Sequence, residues 1–263
     1  MMNHTEPAPT IDCSTEEWEL RVQLAACYRL VAHFRMTDLI FTHISARLPG
    51  AEHHFLINPY GLMFDEITAS SLVKIDLAGR PLQPTRYATN PAGFVIHSAI
   101  HAAREDAQCI LHTHTRAGCA VAAQACGLLP LNQMSMEFHD RLGYHDYEGV
   151  AFSFEEQSRL VADLGEHIGL VLRNHGLLTV GGTVQQAFLR MFYLEKACEI
   201  QVTAQAAGEL IIPSRAVCEH TALQLNEPAR PARPGDLYDA DGMGLAWQAL
   251  LRMLERTDPS YRT

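Results

Sequence analysis

Strand-like and helix-like stretches follow one another in this chain without strict strand–helix–strand alternation. That order excludes a doubly wound parallel sheet and constrains the fold more than any other feature. Ile44, Ala46 and Leu48 alternate with polar neighbours, and the apolar run Phe55–Ile57 follows, then the turn chemistry Asn58-Pro59-Tyr60-Gly61. Leu72–Leu77, Cys109–Thr113, Gly169–Arg173 and Leu177–Val180 read as further strands. Helical spacing predicts a first helix near 15–36, opened by the capping-box pair Ser14 and Glu17. It predicts others over 92–103, 116–126, 155–167 and 184–207, and a short one starting at Thr68. Residues 130–152 lack a clear period and are expected to be irregular, with short strands. No G-x-G-x-x-G run or P-loop is present, so the expected fold is a layered α/β domain with a mixed or antiparallel central sheet.

Residues 1–14 read as a flexible N-terminal arm and 15–208 as the domain. After Gly208, Pro213, Pro228, Pro231 and Pro234 are interleaved with arginines. Residues 209–263 are therefore expected to be a C-terminal arm: an extended segment, then a short helix near 244–256 that packs on the domain or on a neighbouring subunit. With 20 Lys+Arg against 30 Asp+Glu, the net charge of −10 argues against a nucleic-acid partner. No apolar run is long enough to span a bilayer, and the polar start MMNHTEPAPT is unlike a signal peptide. Seven cysteines, several of them in apolar stretches (Cys27, Cys109, Cys119, Cys198), suit reduced buried thiols rather than a disulfide framework. A cytoplasmic protein without a membrane partner is the expectation.

The fourteen histidines matter for where they fall. In Cys109-Ile110-Leu111-His112-Thr113-His114, a period of two puts both imidazoles on one strand face, close enough to grip one ion. His175 stands at the end of another strand, in Val171-Leu172-Arg173-Asn174-His175-Gly176, with a glycine that lets the backbone turn away. Three neutral imidazoles form a catalytic ligand set that leaves positions open for substrate or water. The alternative is that these side chains are structural. The spacing itself does not choose among zinc, iron, manganese and copper.

Six segments then match a known pattern in order: Thr42-His43-Ile44-Ser45-Ala46-Arg47, Leu56-Ile57-Asn58-Pro59-Tyr60-Gly61, Thr68 to Asp76, Ile110 to His114, Tyr144-His145-Asp146-Tyr147-Glu148-Gly149, and Leu172-Arg173-Asn174-His175-Gly176-Leu177. From Thr15 to Gly208 the chain resembles the class II aldolase/adducin family, most closely its adducin-like bacterial branch. The resemblance implies a three-layer α/β/α domain with a mostly antiparallel nine-stranded central sheet. It also implies a homo-oligomer, with a tetramer favoured, whose sites lie at subunit interfaces. His112, His114 and His175 would occupy the metal-ligand positions for one divalent ion per subunit, zinc first, with iron or manganese as alternatives.

The chain departs from the sugar-phosphate aldolases where it matters for chemistry. Their Ser-Ser-Glu run, which binds phosphate and supplies the acid/base, is here Pro91-Ala92-Gly93. Two hydroxyls, a backbone N–H and the carboxylate are gone. His43-Ile44 replaces a Gly-Asn, and Tyr60 replaces a small residue, at two further phosphate loops. A phosphate dianion needs several donors, so the expected substrate is a small, non-phosphorylated molecule. Candidates for the lost proton carrier are Glu137, His139, His145 and Tyr147, with Asp140 beside them. Glu137 and Asp140 read equally as solvated loop charges, and His145 and Tyr147 as structural members of a segment that adducins share. His97 and His101 either face the site or lie on a capped, partly exposed helix face, and Arg173 either pairs a substrate carboxylate or makes an ordinary surface or interface salt bridge.

Three functions remain open at this level. The expected one is a metal-dependent lyase, of aldolase or decarboxylase type, acting on a small oxygenated carboxylic acid or carbonyl compound. The others are a three-histidine non-haem iron oxygenase on the same fold, and a non-catalytic adducin-like binding or scaffold protein.

Overall fold

An alternating strand can bury both its faces only when helices cover each side of the sheet. The computed structural model has that arrangement over residues 11–50, 53–89, 91–149, 155–226 and 242–263, the residues it describes. Among them one sheet contains seven strands: β1 (His43–Arg47), β2 (Phe55–Ile57), β3 (Val73–Ile75), β4 (Cys109–Thr113), β5 (Leu142–His145), β6 (Gly169–Leu172) and β7 (Gly176–Gly181). The order across the sheet is β3-β2-β1-β4-β7-β6-β5, and every neighbouring pair is antiparallel except β5 with β6. The sheet is therefore mostly antiparallel, with seven strands rather than the nine expected. The chain at Pro81 meets β3 through a single bridge to Ile75, and Tyr60 bridges Ala88 outside the named strands. Pro81 has no N–H with which to continue a ladder.

The helices are α1 (Thr15–His33), α2 (Pro91–Ala103), α3 (Arg116–Ala122), α4 (Gln133–Met136), α5 (Gln157–Leu164), α6 (Val184–Ala207), α7 (Arg215–Asn226) and α8 (Gly242–Thr257). On one face of the sheet, Ile44, Leu111, Val171 and Leu177 pack with Leu24 of α1, Phe188 of α6 and Trp247 of α8. On the other, Ile110, Leu170, Leu178 and Val180 pack with Ile96 and Ile100 of α2 and Leu160 and Leu164 of α5. This is a three-layer α/β/α arrangement. The alternation within each strand assigns its side chains to the two layers.

Helix α1 is capped as expected, with the Ser14 hydroxyl accepting the Glu17 N–H at 3.2 Å. It stops at His33 rather than near 36, because Arg35 takes a left-handed conformation (φ 58°). Its Tyr28 is fully buried, and the phenol oxygen accepts the backbone N–H of Ile44 (2.8 Å) and of Asn58 (3.1 Å). One side chain thereby ties the helix layer to β1 and to the turn after β2.

Four local expectations change. No helix starts at Thr68. The Thr68 and Ser71 side chains bond back onto their own backbone, and the N–H groups of Ala69 and Ser70 go to the carbonyls of Tyr261 and Thr263. The predicted 116–126 helix ends at Ala122, and the irregular 130–152 stretch contains α4 and the edge strand β5, with 150–152 outside the described residues. After Gly208, α7 forms where extended chain was expected. Cys218 and Ala222 recur on its buried side, and Arg215 pairs with Glu219 one turn away at 2.6 Å. Pro228, Pro231 and Pro234, like residues 1–10 of the N-terminal arm, lie outside the described residues. The final helix α8 brings Trp247 and Leu254 into the main core, and the Trp247 indole N–H donates to Gln23 of α1 at 2.7 Å. All seven cysteines are unpaired, and no helix among the described residues is long and apolar enough to cross a membrane.

Candidate metal centre

Strand β4 lies between β1 and β7, and its alternation turns Ile110 and His112 away from α6, with His114 one residue past the strand's end. The hairpin between β6 and β7 supplies His175. Asn174 at its tip takes a left-handed conformation (φ 56°), and the His175 N–H closes the turn onto the Leu172 carbonyl at 3.0 Å. Gly176 has a different job from the one its sequence position suggests. It needs no unusual φ, but a Cβ there would lie 2.4 Å from the Thr113 carbonyl oxygen and 3.2 Å from Cδ2 of His114. Its missing side chain lets β7 pass close beneath the β4 histidines.

The three rings converge. The Nε2 atom of His114 lies 2.9 Å from Nε2 of His112 and 2.9 Å from Nε2 of His175. The Nδ1–H of His112 donates to the Leu177 carbonyl (2.9 Å), and that of His114 donates to Asp38 Oδ2 (2.9 Å). With their protons on Nδ1, these two rings present bare Nε2 lone pairs to each other, so that contact cannot be a hydrogen bond. Nitrogens sharing one ion at ~2.0–2.1 Å sit roughly 2.8–3.4 Å apart, which matches the observed spacing. The donor set fits a divalent cation. Burial holds His112 well below its usual range, and burial with the nearby His114 and His145 lowers His175 to about 4, so both offer neutral imidazoles.

Behind the triad runs a second layer of polar side chains that sequence reasoning only partly found. His43, in register with His112 across β1 and β4, packs its ring 5.3 Å from that of His112 and 4.2 Å from that of His97. Ser45 Oγ lies 2.7 Å from His97 Nδ1 and 2.7 Å from His101 Nε2, and His101 Nδ1 bonds to the Ala107 carbonyl at 2.9 Å. His97 and His101 are buried, not on a partly exposed helix face. Burial lowers His43 and His101 to about 3 and His97 well below its usual range. Both His43 nitrogens, His97 Nε2, Thr42 Oγ1 and Asn58 Nδ2 are buried without a hydrogen-bond partner among the described residues. Strand pairing was the signal for His43; Asp38 left none, because it lies in a segment without period.

The four proton-carrier candidates separate. His145 is buried between two carboxylates, with Nδ1 2.8 Å from Asp163 and Nε2 3.3 Å from Glu156. It lines a small cleft with His175, Glu156, Arg173 and the half-exposed Tyr147. Arg173 there stacks over the Tyr144 ring (4.5 Å) and donates to the Gln124 carbonyl (2.6 Å). Glu137 is elsewhere, toward Arg141 and Arg190 at the end of the sheet where Leu142 pairs with Gly169. Burial pushes its carboxyl up to about 7. His139 lies near Asp140 and Glu219, a second grouping of metal-ligating types, but Arg215 already pairs with Asp140 (2.8 Å) and Glu219 (2.6 Å).

The buried imidazoles set a direction for acid sensitivity. Unfolded histidines take up protons near 6.5, whereas folded His175 does so only near 4 and His43 and His101 near 3. The unfolded chain therefore binds more protons between these values, and stability of the metal-free protein falls as pH drops from about 6.5 toward 4. Urea midpoints measured across that window should decline with pH, and less so in His43→Gln.

The family follows from comparison with known proteins. The model described as Class II Aldolase and Adducin N-terminal domain matches residues 22–202. A crystal structure of an aldolase II superfamily protein from Pseudomonas syringae is 52% identical, covers 95% of this chain and 98% of its own, and superposes with a TM-score of 0.87. L-fuculose 1-phosphate aldolase from Glaciozyma antarctica PI12 is 28% identical over 98% of this chain and 97% of its own, with a TM-score of 0.80. Alpha-adducin of Mus musculus is 42% identical over 93% of this chain, which spans 34% of the adducin. With that match and the three-layer fold, this chain belongs to the class II aldolase and adducin family.

Proposed function

We propose that this protein is a metal-dependent lyase that breaks a carbon–carbon bond in a small, non-phosphorylated oxygenated carboxylic acid or carbonyl compound. His112, His114 and His175 would hold one divalent ion, zinc before iron or manganese. The observation that carries the reading is the convergence of bare Nε2 lone pairs whose ring protons are committed elsewhere. A bound divalent ion supplies Lewis acidity, polarising a substrate oxygen and offsetting the negative charge that develops as the bond breaks.

The chain's own residues then have to move a proton, because Gly93 carries no group that can. His145 suits that task. Asp163, on one side of its ring, is 42% exposed, while Glu156, on the other, is 10% exposed and lines the cleft. A carboxylate–imidazole–carboxylate row of this kind passes a proton between solvent and cleft. Tyr147, half-exposed, also lines the cleft and would offer a second donor. Glu137 and His139 stand apart from the triad within one chain and carry no step here.

A second reading, the non-catalytic scaffold, is favoured by the 42% identity to alpha-adducin. Metal separates the two. Protein purified without chelator should hold one equivalent of divalent metal, and His112→Ala, His114→Ala and His175→Ala should each lose it while remaining folded. Equal metal content in all four proteins overturns the proposal.

The likeness to a fuculose 1-phosphate aldolase makes that sugar phosphate the discriminating substrate. With Pro91, Ala92 and Gly93 in place of two hydroxyls and a carboxylate, it should not be cleaved, and turnover at about 1 per second or faster contradicts the assignment. The tetramer belongs to the same proposal; light scattering should show a homo-oligomer at micromolar concentration, and a stable monomer overturns that part.

A further inference from the structure

The three imidazoles are not held in the same way. His112 is fixed inside the sheet by the Leu177 carbonyl, a neutral acceptor, and His175 by its tight hairpin. His114 comes after the last residue of β4, and the hydrogen bond orienting its ring comes from Asp38, 76 residues earlier. We propose that Asp38 is the positioning residue of the metal centre, orienting His114 and placing a negative charge directly behind it. A bound ion would then sit in a site that carries one carboxylate charge, not in the purely neutral imidazole set that the sequence suggests.

The backbone around Asp38 is conformationally unusual. Three non-glycine residues in eight take left-handed conformations: Arg35 (φ 58°), Leu39 (φ 49°) and Thr42 (φ 65°). A β-branched residue such as Thr42 rarely adopts that region, and such outliers persist only where the surroundings hold them. Burial anchors the ends of this segment at Met36 and Thr42, but its tip lies outside the core, with Leu39 62% and Phe41 43% exposed. Its internal tie is the Phe41 N–H to the Asp38 carbonyl at 2.8 Å, and the Asp38 side chain reaches His114 from this turn. A carboxylate on the far nitrogen of a ligating histidine fixes the tautomer, orients the ring and raises its basicity. The same carboxylate lowers the net positive charge presented to substrate, so it favours a monoanion or a neutral chelating oxygen pair over a dianion.

The inference rests on the metal reading above, and its test keeps the two apart. Zn(II) dissociation constants are measured by chelator competition for the full chain and for Asp38→Asn and Asp38→Ala, beside the visible spectra of their Co(II) forms. Asp38→Ala should weaken binding about 10- to 100-fold. Asp38→Asn, which keeps an acceptor oxygen without the charge, should weaken it less, and both should alter the Co(II) bands. A merely structural Asp38 would lower the unfolding midpoint of the metal-free protein and leave the Co(II) bands in place. Dissociation constants within twofold of the parent in a folded Asp38→Asn overturn the inference while leaving the triad standing. A parent that binds no metal overturns both.

Discussion

The site depends on one constraint, the two-residue period of a strand placed at the centre of its sheet. Because β4 has β1 on one side and β7 on the other, all its side chains must serve one helix layer or the other. Cys109 and Leu111 go to the layer of α1, α6 and α8, and Thr113 reaches Met191 of α6. Ile110, His112 and His114 go to the other side. A slip of one residue would put the histidines under α6 and the apolar residues at the site, so the same burial that stabilises the sheet fixes the register of the ligands. Gly176 completes the constraint, since only a residue without Cβ lets β7 lie as close to Thr113 as it does.

A layer of neutral histidines costs stability that an apolar layer would not. His43, His97, His101 and His112 are all nearly inaccessible, and two of them keep nitrogens without partners. Unpaired buried polar groups cost about 1–3 kcal/mol each, so their retention beside the triad reads as provision for a ligand rather than for folding. The stabilising weight lies elsewhere, in the two apolar cores and in Tyr28, which bridges layers by hydrogen bonds to Ile44 and Asn58.

What the sequence made legible were features with a period. The helix over 184–207 and the pairing of His112 with His114 follow from spacings of 3.6 and two, and the strand at 55–57 from a short apolar run before turn residues. What it concealed were features made by distant chain. The Thr68 turn takes its hydrogen bonds from Tyr261 and Thr263, so local helix propensity lost to a contact nearly two hundred residues away. Helix α7 has only Cys218 and Ala222 as its buried i,i+4 pair, too short a pattern to stand out beside the prolines that follow Gly208. Among the described residues the sheet stops at seven strands: the chain at Pro81 meets β3 for a single bridge, and Tyr60 bridges only Ala88, outside the sheet. Asp38 could not be read at all, since its partner is set by a turn and not by a pattern.

The polar layer behind the triad also has an electrical direction. The Ala107 carbonyl can only accept, so His101 carries its proton on Nδ1 and offers a lone pair at Nε2. Ser45 must then give its hydroxyl proton to His101, and it can only receive the Nδ1–H of His97 in return. Every donor in the row therefore points the same way, from His97 toward Ala107, and the bond dipoles add head to tail. The positive end is neutralised by a backbone oxygen at one margin of the sheet. The negative end is the bare Nε2 of His97, packed against His43 on the triad's side, so the fold's own hydrogen-bond polarity favours a cation at that end before any substrate arrives.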